Sequence, residues 1–410
     1  MIRFIHTADI HFGMENYGKI DSTLGIHSRL LDFERALNQC IDYAIKHQVD
    51  FFLFAGDAYK TASPSPTQQQ LLLQCFLRLH AAKIPVIIVV GNHDHPVSFG
   101  KAHSLDIFKQ LPIDGFHVIA KPKIVTIKTK SGPINIVGIP WPNRSTLALS
   151  DRLCVSNIEI SRHLSETVSK LVTHFAQKLD PQIPAVLTGH LTVASGVFSG
   201  SEKRAIYGTD PLILVSQLAI APFDYVALGH LHRYQNLNPH GYPAVVYSGS
   251  IERIDFGERN ENKGFCDVII NQKGETTHTF IELATRPFVQ LDVHIDQEKD
   301  QTQQLIDHIK SHPITNAIVK ILYHLPPGVK DLVDIRTVQR ACVNAWHLVS
   351  ITPIHTHVPR ERRSSLKASM DLPTLLQRYF ETKPELDKQK ASLIQKALDL
   401  VHEAQDTTEI

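Results

Sequence analysis

Four short apolar runs in this chain end in a glycine followed at once by a side chain able to bind a metal. They are FLFAGD at Asp57, VIIVVGNHD at Asn92, AVLTGH at His190 and YVALGHLH at His230 and His232. A fifth, IRFIHTA, leads into Asp9 and His11. Apolar runs this short, without alternation, predict strands buried on both faces, as in an α/β fold. The stretches between them are amphipathic: Leu30, Phe33, Ala36, Leu37, Cys40, Ile41 and Ala44 recur at helical spacing, and Leu71 to Leu79 reads the same way. In open α/β sheets ligands gather beyond the carboxyl ends of the strands, so the five run ends should converge on one crevice. Glycine there permits a sharp turn and close backbone approach. Asp9 with His11, and His230 with His232, are i,i+2 pairs that point to one side of an extended backbone, so each pair can grip one ion.

The donor set is oxygen and imidazole without thiolate, which suits Mn²⁺, Fe²⁺ or Zn²⁺ better than Mg²⁺ or Ca²⁺ alone. Seven donors point to two ions. Such a pair clamps a phosphoryl group, one ion activating a water and the other neutralising the phosphate oxygens, with one carboxylate bridging. Each signal has a plainer reading: a GD after a strand is commonplace, and a lone histidine at a strand end is more often a cap or a core residue. GNHD is sharper, and the joint occurrence of all five ends in one chain is what points to chemistry.

At 410 residues the chain exceeds one ordinary core, which predicts a large domain with smaller attachments. The α/β texture holds over 1–285. Over 286–358 it changes to a small α+β domain: strand from Phe288 to Ile295, helix from Gln301 to Ile309, strand from Ala317 to Tyr323, helix from Val333 to Trp346 and strand from Leu348 to Ile354. A basic linker at 359–370 carries Arg360, Arg362 and Arg363, and a helical segment at 371–410 carries Leu386, Leu393, Ile394, Ala397, Leu398 and Val401 on one side. The net charge of +1 leaves any nucleic-acid binding to local basic patches. Five scattered cysteines without a CxxC pair suit a reducing compartment, and no segment is apolar enough to span a membrane, so the expectation is a cytoplasmic protein.

With DxH, GD, GNHD, GH and GHLH read in order, the chain resembles the calcineurin-like metallophosphoesterases, whose fold is a β-sandwich flanked by helices. HTADIHFG, GDAY followed by SPSP, and SGSIERIDFGERNENKGF make it similar to the SbcD-type nuclease subunits of that superfamily. The resemblance implies that Asp9, His11 and His232 hold one metal, that Asn92, His190 and His230 hold the other, and that Asp57 bridges. It makes His93 a catalytic residue that faces the phosphate and either stabilises the transition state or protonates the leaving 3′ oxygen, oriented by Asp94. It implies two divalent ions, Mn²⁺ foremost, and a DNA substrate cut by exonuclease and hairpin-opening endonuclease activity. It further implies a capping domain that helps admit DNA and a C-terminal helix that docks on an SbcC-like SMC-family ATPase. A homodimer within a heterotetramer would form through helices at Gln68 to His80 and Ala102 to Leu111. Ser199, Gly200, Ser201 and Glu202 are expected to brace a loop. Some relatives carry a histidine where Lys60 stands, a departure that leaves open how strands are handled. The rival readings are a small-substrate phosphomonoesterase or cyclic-nucleotide phosphodiesterase on the same metal core, and a metal-free scaffold descended from the fold; all seven donors are present against the latter.

Overall fold

The computed structural model describes residues 1–95, 102–143, 147, 156–200, 210–355, 372–381, 386 and 389–406. The strands of the large unit are β1 (Ile2–Thr7), β2 (Phe51–Phe54), β3 (Val86–Val89), β4 (Phe116–Ile119), β5 (Lys123–Thr129), β6 (Gly132–Ile139), β7 (Ala185–His190), β8 (Thr192–Val193), β9 (Leu212–Ile213), β10 (Tyr225–Gly229), β11 (Gln235–Asn236), β12 (Ala244–Tyr247), β13 (Gly264–Gln272) and β14 (Glu275–Glu282). Twelve of them form two six-stranded sheets, ordered β14-β13-β1-β2-β3-β4 and β11-β12-β10-β7-β6-β5. β1 to β4 run parallel, as do β6, β7, β10 and β12.

The unalternating apolar runs have a simple cause: each sheet is covered on both faces. In β2, Phe51 and Leu53 point into the layer between the sheets, and Phe52 and Phe54 point outward beneath the helices Ser28–Lys46 and Pro66–Ala81. In β10, Tyr225 and Ala227 face the same inter-sheet layer, and Val226 and Leu228 face the helix Asn157–Lys178. The helix Pro66–Ala81 starts on a capping box in which Ser65 and Gln68 satisfy each other's backbone N–H, with proline in its first turn. Where a helix was expected from Ala102 to Leu111, the chain makes a 3₁₀ turn at Ser104–Asp106 and one helical turn at Ile107–Gln110.

Beyond Arg286 lies a third sheet of β15 (Phe288–His294), β16 (Ile318–Leu325) and β17 (His347–His355), all parallel and in that order. The helices Gln301–Lys310 and Ile335–Ala341 make its crossovers and enclose a separate core of Leu291, Val293, Leu305, Ile321 and Tyr323. The second helix is shorter than the span expected from Val333 to Trp346, because Asp334 caps its first turn and the chain leaves helical geometry at Cys342. This sheet is fastened to the sandwich by a buried ionic cluster. Arg286 grips both oxygens of Asp32 at 2.9 and 2.7 Å, Arg29 adds a third contact at 2.9 Å, and Trp346 lies over the Arg286 guanidinium at 4.2 Å. The C-terminal segment forms two helices, Leu372–Glu381 and Lys390–Asp406. The expected linker at 359–370, with Ser201 and Glu202, falls outside the described residues. No described helix is long and apolar enough to cross a membrane.

Candidate metal centre

The ends of β1, β2, β3, β7 and β10 meet at one pole of the sandwich, and the loops leaving them are backbone-paired. Asp9 N–H donates to the Gly56 carbonyl at 2.9 Å, His11 N–H to Asp57 at 3.1 Å and Phe12 N–H to Ala58 at 2.9 Å. Asp9, His11, Asp57 and His230 all have positive φ, at 53°, 51°, 60° and 101°. That region disfavours side-chain-bearing residues, and its use at four expected ligands marks a backbone bent to deliver side chains. The glycines are required by close approach: a Cβ on Gly91 would lie 2.1 Å from Asp57 Oδ1, and one on Gly229 would lie 2.3 Å from the Ala55 carbonyl.

All seven expected metal ligands are brought to this pole. Asp9, His11 and His232 form one cluster, in which the Nε2 atoms of His11 and His232 are 3.1 Å apart. Asn92 Oδ1 lies 2.9 Å from His190 Nε2 and 3.2 Å from His230 Nδ1. Asp57 stands between the two groups, its Oδ2 3.7 Å from His11 Nε2 and 3.4 Å from His190 Nε2. Ring orientation is set from behind. His190 Nδ1 bonds the Ala55 carbonyl at 2.9 Å and His232 Nδ1 bonds Glu258 Oε1 at 2.8 Å, so both rings turn Nε2 inward. Converging lone pairs and two buried carboxylates fit divalent cations, which would supply the missing positive charge.

The geometry corrects one expectation. Asp94 does not hold the His93 ring: its buried carboxylate accepts backbone N–H groups of Asp57, Ala58, Tyr59 and Gly91, fixing the loop that carries Asp57. The ring of His93 is held through Nδ1 by the Lys60 carbonyl at 2.8 Å, which leaves Nε2 4.0 Å from Asp57 Oδ2. Lys60 therefore acts on the site through its backbone. Three residues beside the site lie outside the run-end motifs: Glu258, present in the sequence reading only as part of SGSIERIDFGERNENKGF, Asp210, whose Oδ2 is 3.5 Å from His230 Nε2, and Trp141, whose ring is 4.9 Å from that of His230.

The charges respond to burial and to each other. Burial lifts the Asp9 carboxyl to about 7 against the pull of His190 and His232. Burial together with the Asp57 charge lifts Asp94 to about 7 as well. Burial alone would lower His190, but the Asp57 carboxylate outweighs it and raises the imidazole to about 9. Asp57 is itself held well below the carboxylate range despite its burial, by His190 and His93.

The model of the calcineurin-like phosphoesterases matches residues 2–234, over half of the chain. The chain belongs to that family. Its members are metal-dependent hydrolases of phosphoesters, and the two stacked sheets are their fold. The SbcD subunit of the nuclease SbcCD from Staphylococcus epidermidis is 27% identical over 309 residues, 74% of this chain and 75% of that protein. Among solved structures, a dimetal phosphatase from Danio rerio (10% identity, TM-score 0.41) and TT1561 of Thermus thermophilus (11%, TM-score 0.36) are each covered over 98% of their length, against 68% of this chain. At these scores neither bears on the activity.

Proposed function

We propose that this chain is a Mn²⁺-dependent DNA nuclease that works as the nuclease subunit of an SbcCD-type complex, gated by an SMC-like ATPase. The observation that carries the hydrolytic part is the pole itself: Asp57 lies between two sets of inward-facing donors, with His93 beside it. The DNA part is supported by the similarity to a nuclease subunit, which spans more residues than the family model accounts for and so extends toward the third sheet.

In this reading Asp9, His11 and His232 would hold one ion and Asn92, His190 and His230 the other, with the Asp57 carboxylate standing between the two sets. Once bound, the ions would supply charge neutralisation on the phosphate oxygens and acidify a water toward neutral pH. The protein does the rest. His93, with Nδ1–H tied to the Lys60 carbonyl, presents Nε2 to the departing side of the phosphate. As a water adds to phosphorus, losing a proton to solvent, the P–O3′ bond breaks and a proton on Nε2 passes to the leaving oxygen. Asp94 holds the Asp57 loop rigid, so Asp57 keeps its place between the two sets of donors. The third sheet is assigned to admitting DNA, the helices Leu372–Glu381 and Lys390–Asp406 to docking on the SbcC-like ATPase, and Pro66–Ala81 to homodimer contact.

The test is cleavage of end-labelled linear duplex and hairpin DNA with Mn²⁺, with and without the ATPase partner and ATP. Mn²⁺-dependent cutting reshaped by the ATPase supports the reading. No cutting of DNA, with rapid turnover of nucleotide monoesters, overturns it in favour of a small-substrate phosphoesterase.

A further inference from the structure

Behind His232 lies a buried charged network that the hydrolytic reading does not use. Glu258 Oε1 accepts from His232 Nδ1 at 2.8 Å, and Glu258 Oε2 accepts from Lys263 Nζ at 2.9 Å and from Ile254 N–H at 2.9 Å. Lys263 donates its other two protons to the His232 carbonyl and to Glu261 Oε2, both at 3.0 Å. Glu261 in turn accepts from Ser199 Oγ at 2.8 Å, in the loop beyond the strand that carries His190. The side chains of Glu258 and Lys263 are both 0% exposed.

Burying an ion pair costs more in desolvation than its attraction returns unless every remaining proton and lone pair is used, and apolar residues of like volume would serve stability as well. Here the ammonium spends all three donors, one of them on the backbone of an expected metal ligand and one on the carboxylate that holds the same ligand's ring. Such an arrangement fixes the ring's tautomer and its angle together. The turn Phe256–Glu258 also carries Phe256, whose ring packs against Phe288 of the third sheet at 5.1 Å. The His232 support is thus joined to the third sheet.

We propose that Glu258, locked by Lys263, is the positioning residue for the Asp9, His11 and His232 metal position, setting the affinity of that position and not of the one around His190. Glu258 touches neither the phosphate nor the cations; it acts through the Nδ1–H of His232. This rests on the two-metal reading, and the experiment separates the two. Mn²⁺ alone is titrated into the full-length chain by calorimetry, and ring-nitrogen NMR on ¹⁵N-histidine-labelled protein reports the His232 tautomer. Glu258→Gln should weaken one of two binding steps about 10- to 100-fold, leave the other in place and shift the His232 ring nitrogens. Should that variant fail to fold, Glu258→Asp keeps the charge beside Lys263 but withdraws from Nδ1, and should give a smaller, equally selective loss. Two unchanged binding steps in either folded variant overturn the proposal, as do two steps weakened alike in step with melting temperature, the mark of a merely structural role. A parent chain that cleaves DNA and binds two Mn²⁺ with either of those results sinks this proposal alone; a parent chain that binds no Mn²⁺ sinks the two-metal reading with it.

Discussion

At the scale of single residues, Asp57 and His93 separate binding from chemistry. Asp57 is the carboxylate within 3.7 Å of both donor sets, so Asp57→Ala should lose bound Mn²⁺ and cleavage together. His93→Ala should keep its Mn²⁺ and lose about 10²- to 10⁴-fold in cleavage rate, the usual contribution of a general acid. Metal content by mass spectrometry and single-turnover rates on duplex DNA check both, and full cleavage by Asp57→Ala would sink the mechanism. Asp94 calls for a different result. Because its oxygens accept four backbone N–H groups, Asp94→Ala should lower stability by about 2–3 kcal/mol or more and weaken metal binding with it, seen as parallel falls in melting temperature and Mn²⁺ affinity. The seven residues expected as ligands gather at one pole, and that gathering was legible because each follows an apolar run. The role of Glu258 was not, although it lies in the motif SGSIERIDFGERNENKGF, since it reaches His232 across 26 positions from a turn with no periodicity of its own.

At the scale of elements, legibility followed burial. The strands covered on both faces stood out as apolar runs, whereas β14 alternates exposed and half-buried residues along the sheet edge and gave no signal. The 22-residue helix Asn157–Lys178 was equally silent: its buried positions are Leu164, Val168, Val172 and Ala176, one narrow stripe diluted by polar neighbours. The strand-to-loop junctions are where an element meets the chemistry. Gly56 has φ 104°, and a Cβ there would stand 2.4 Å from His190 Nδ1. Gly56→Ala therefore combines backbone strain with displacement of the His190 ring, and should cost about 1–3 kcal/mol along with Mn²⁺ affinity. Chemical denaturation and metal titration of the variant are the measurements; unchanged Mn²⁺ affinity would mean the ring has room the geometry does not show.

At the scale of the whole molecule, the change of texture near Arg286 marked where a third sheet begins, but strand order and the way the layers are joined were not legible, because both depend on contacts between distant segments. The joint is the clearest case. Asp32 and Arg286 are 254 positions apart and form a two-pronged pair that is almost wholly buried. Burial would raise the Asp32 carboxyl, but hydrogen bonding to Arg286 and the charge of Arg29 outweigh it and hold the group below its ordinary value. A depressed folded-state value means that the charged form stabilises the fold. That contribution is complete above the unfolded-state pKa of about 3.9 and disappears as pH falls through the lower folded-state value. Asp32→Asn removes the counter-charge of two buried guanidinium groups and should cost about 3–5 kcal/mol at pH 7. The metal ligands lie outside this cluster, so the difference between parent and variant follows Asp32 together with the buried Glu252, which stands 3.9 Å from Arg29 and whose carboxyl the Asp32 charge helps to raise. Urea midpoints measured from pH 7 down to about pH 3 should show that difference narrowing on the acid side, as the parent's own carboxyl becomes protonated. A gap that stays constant across the range would mean that the pair adds packing but no charge to the joint between the sandwich and the third sheet.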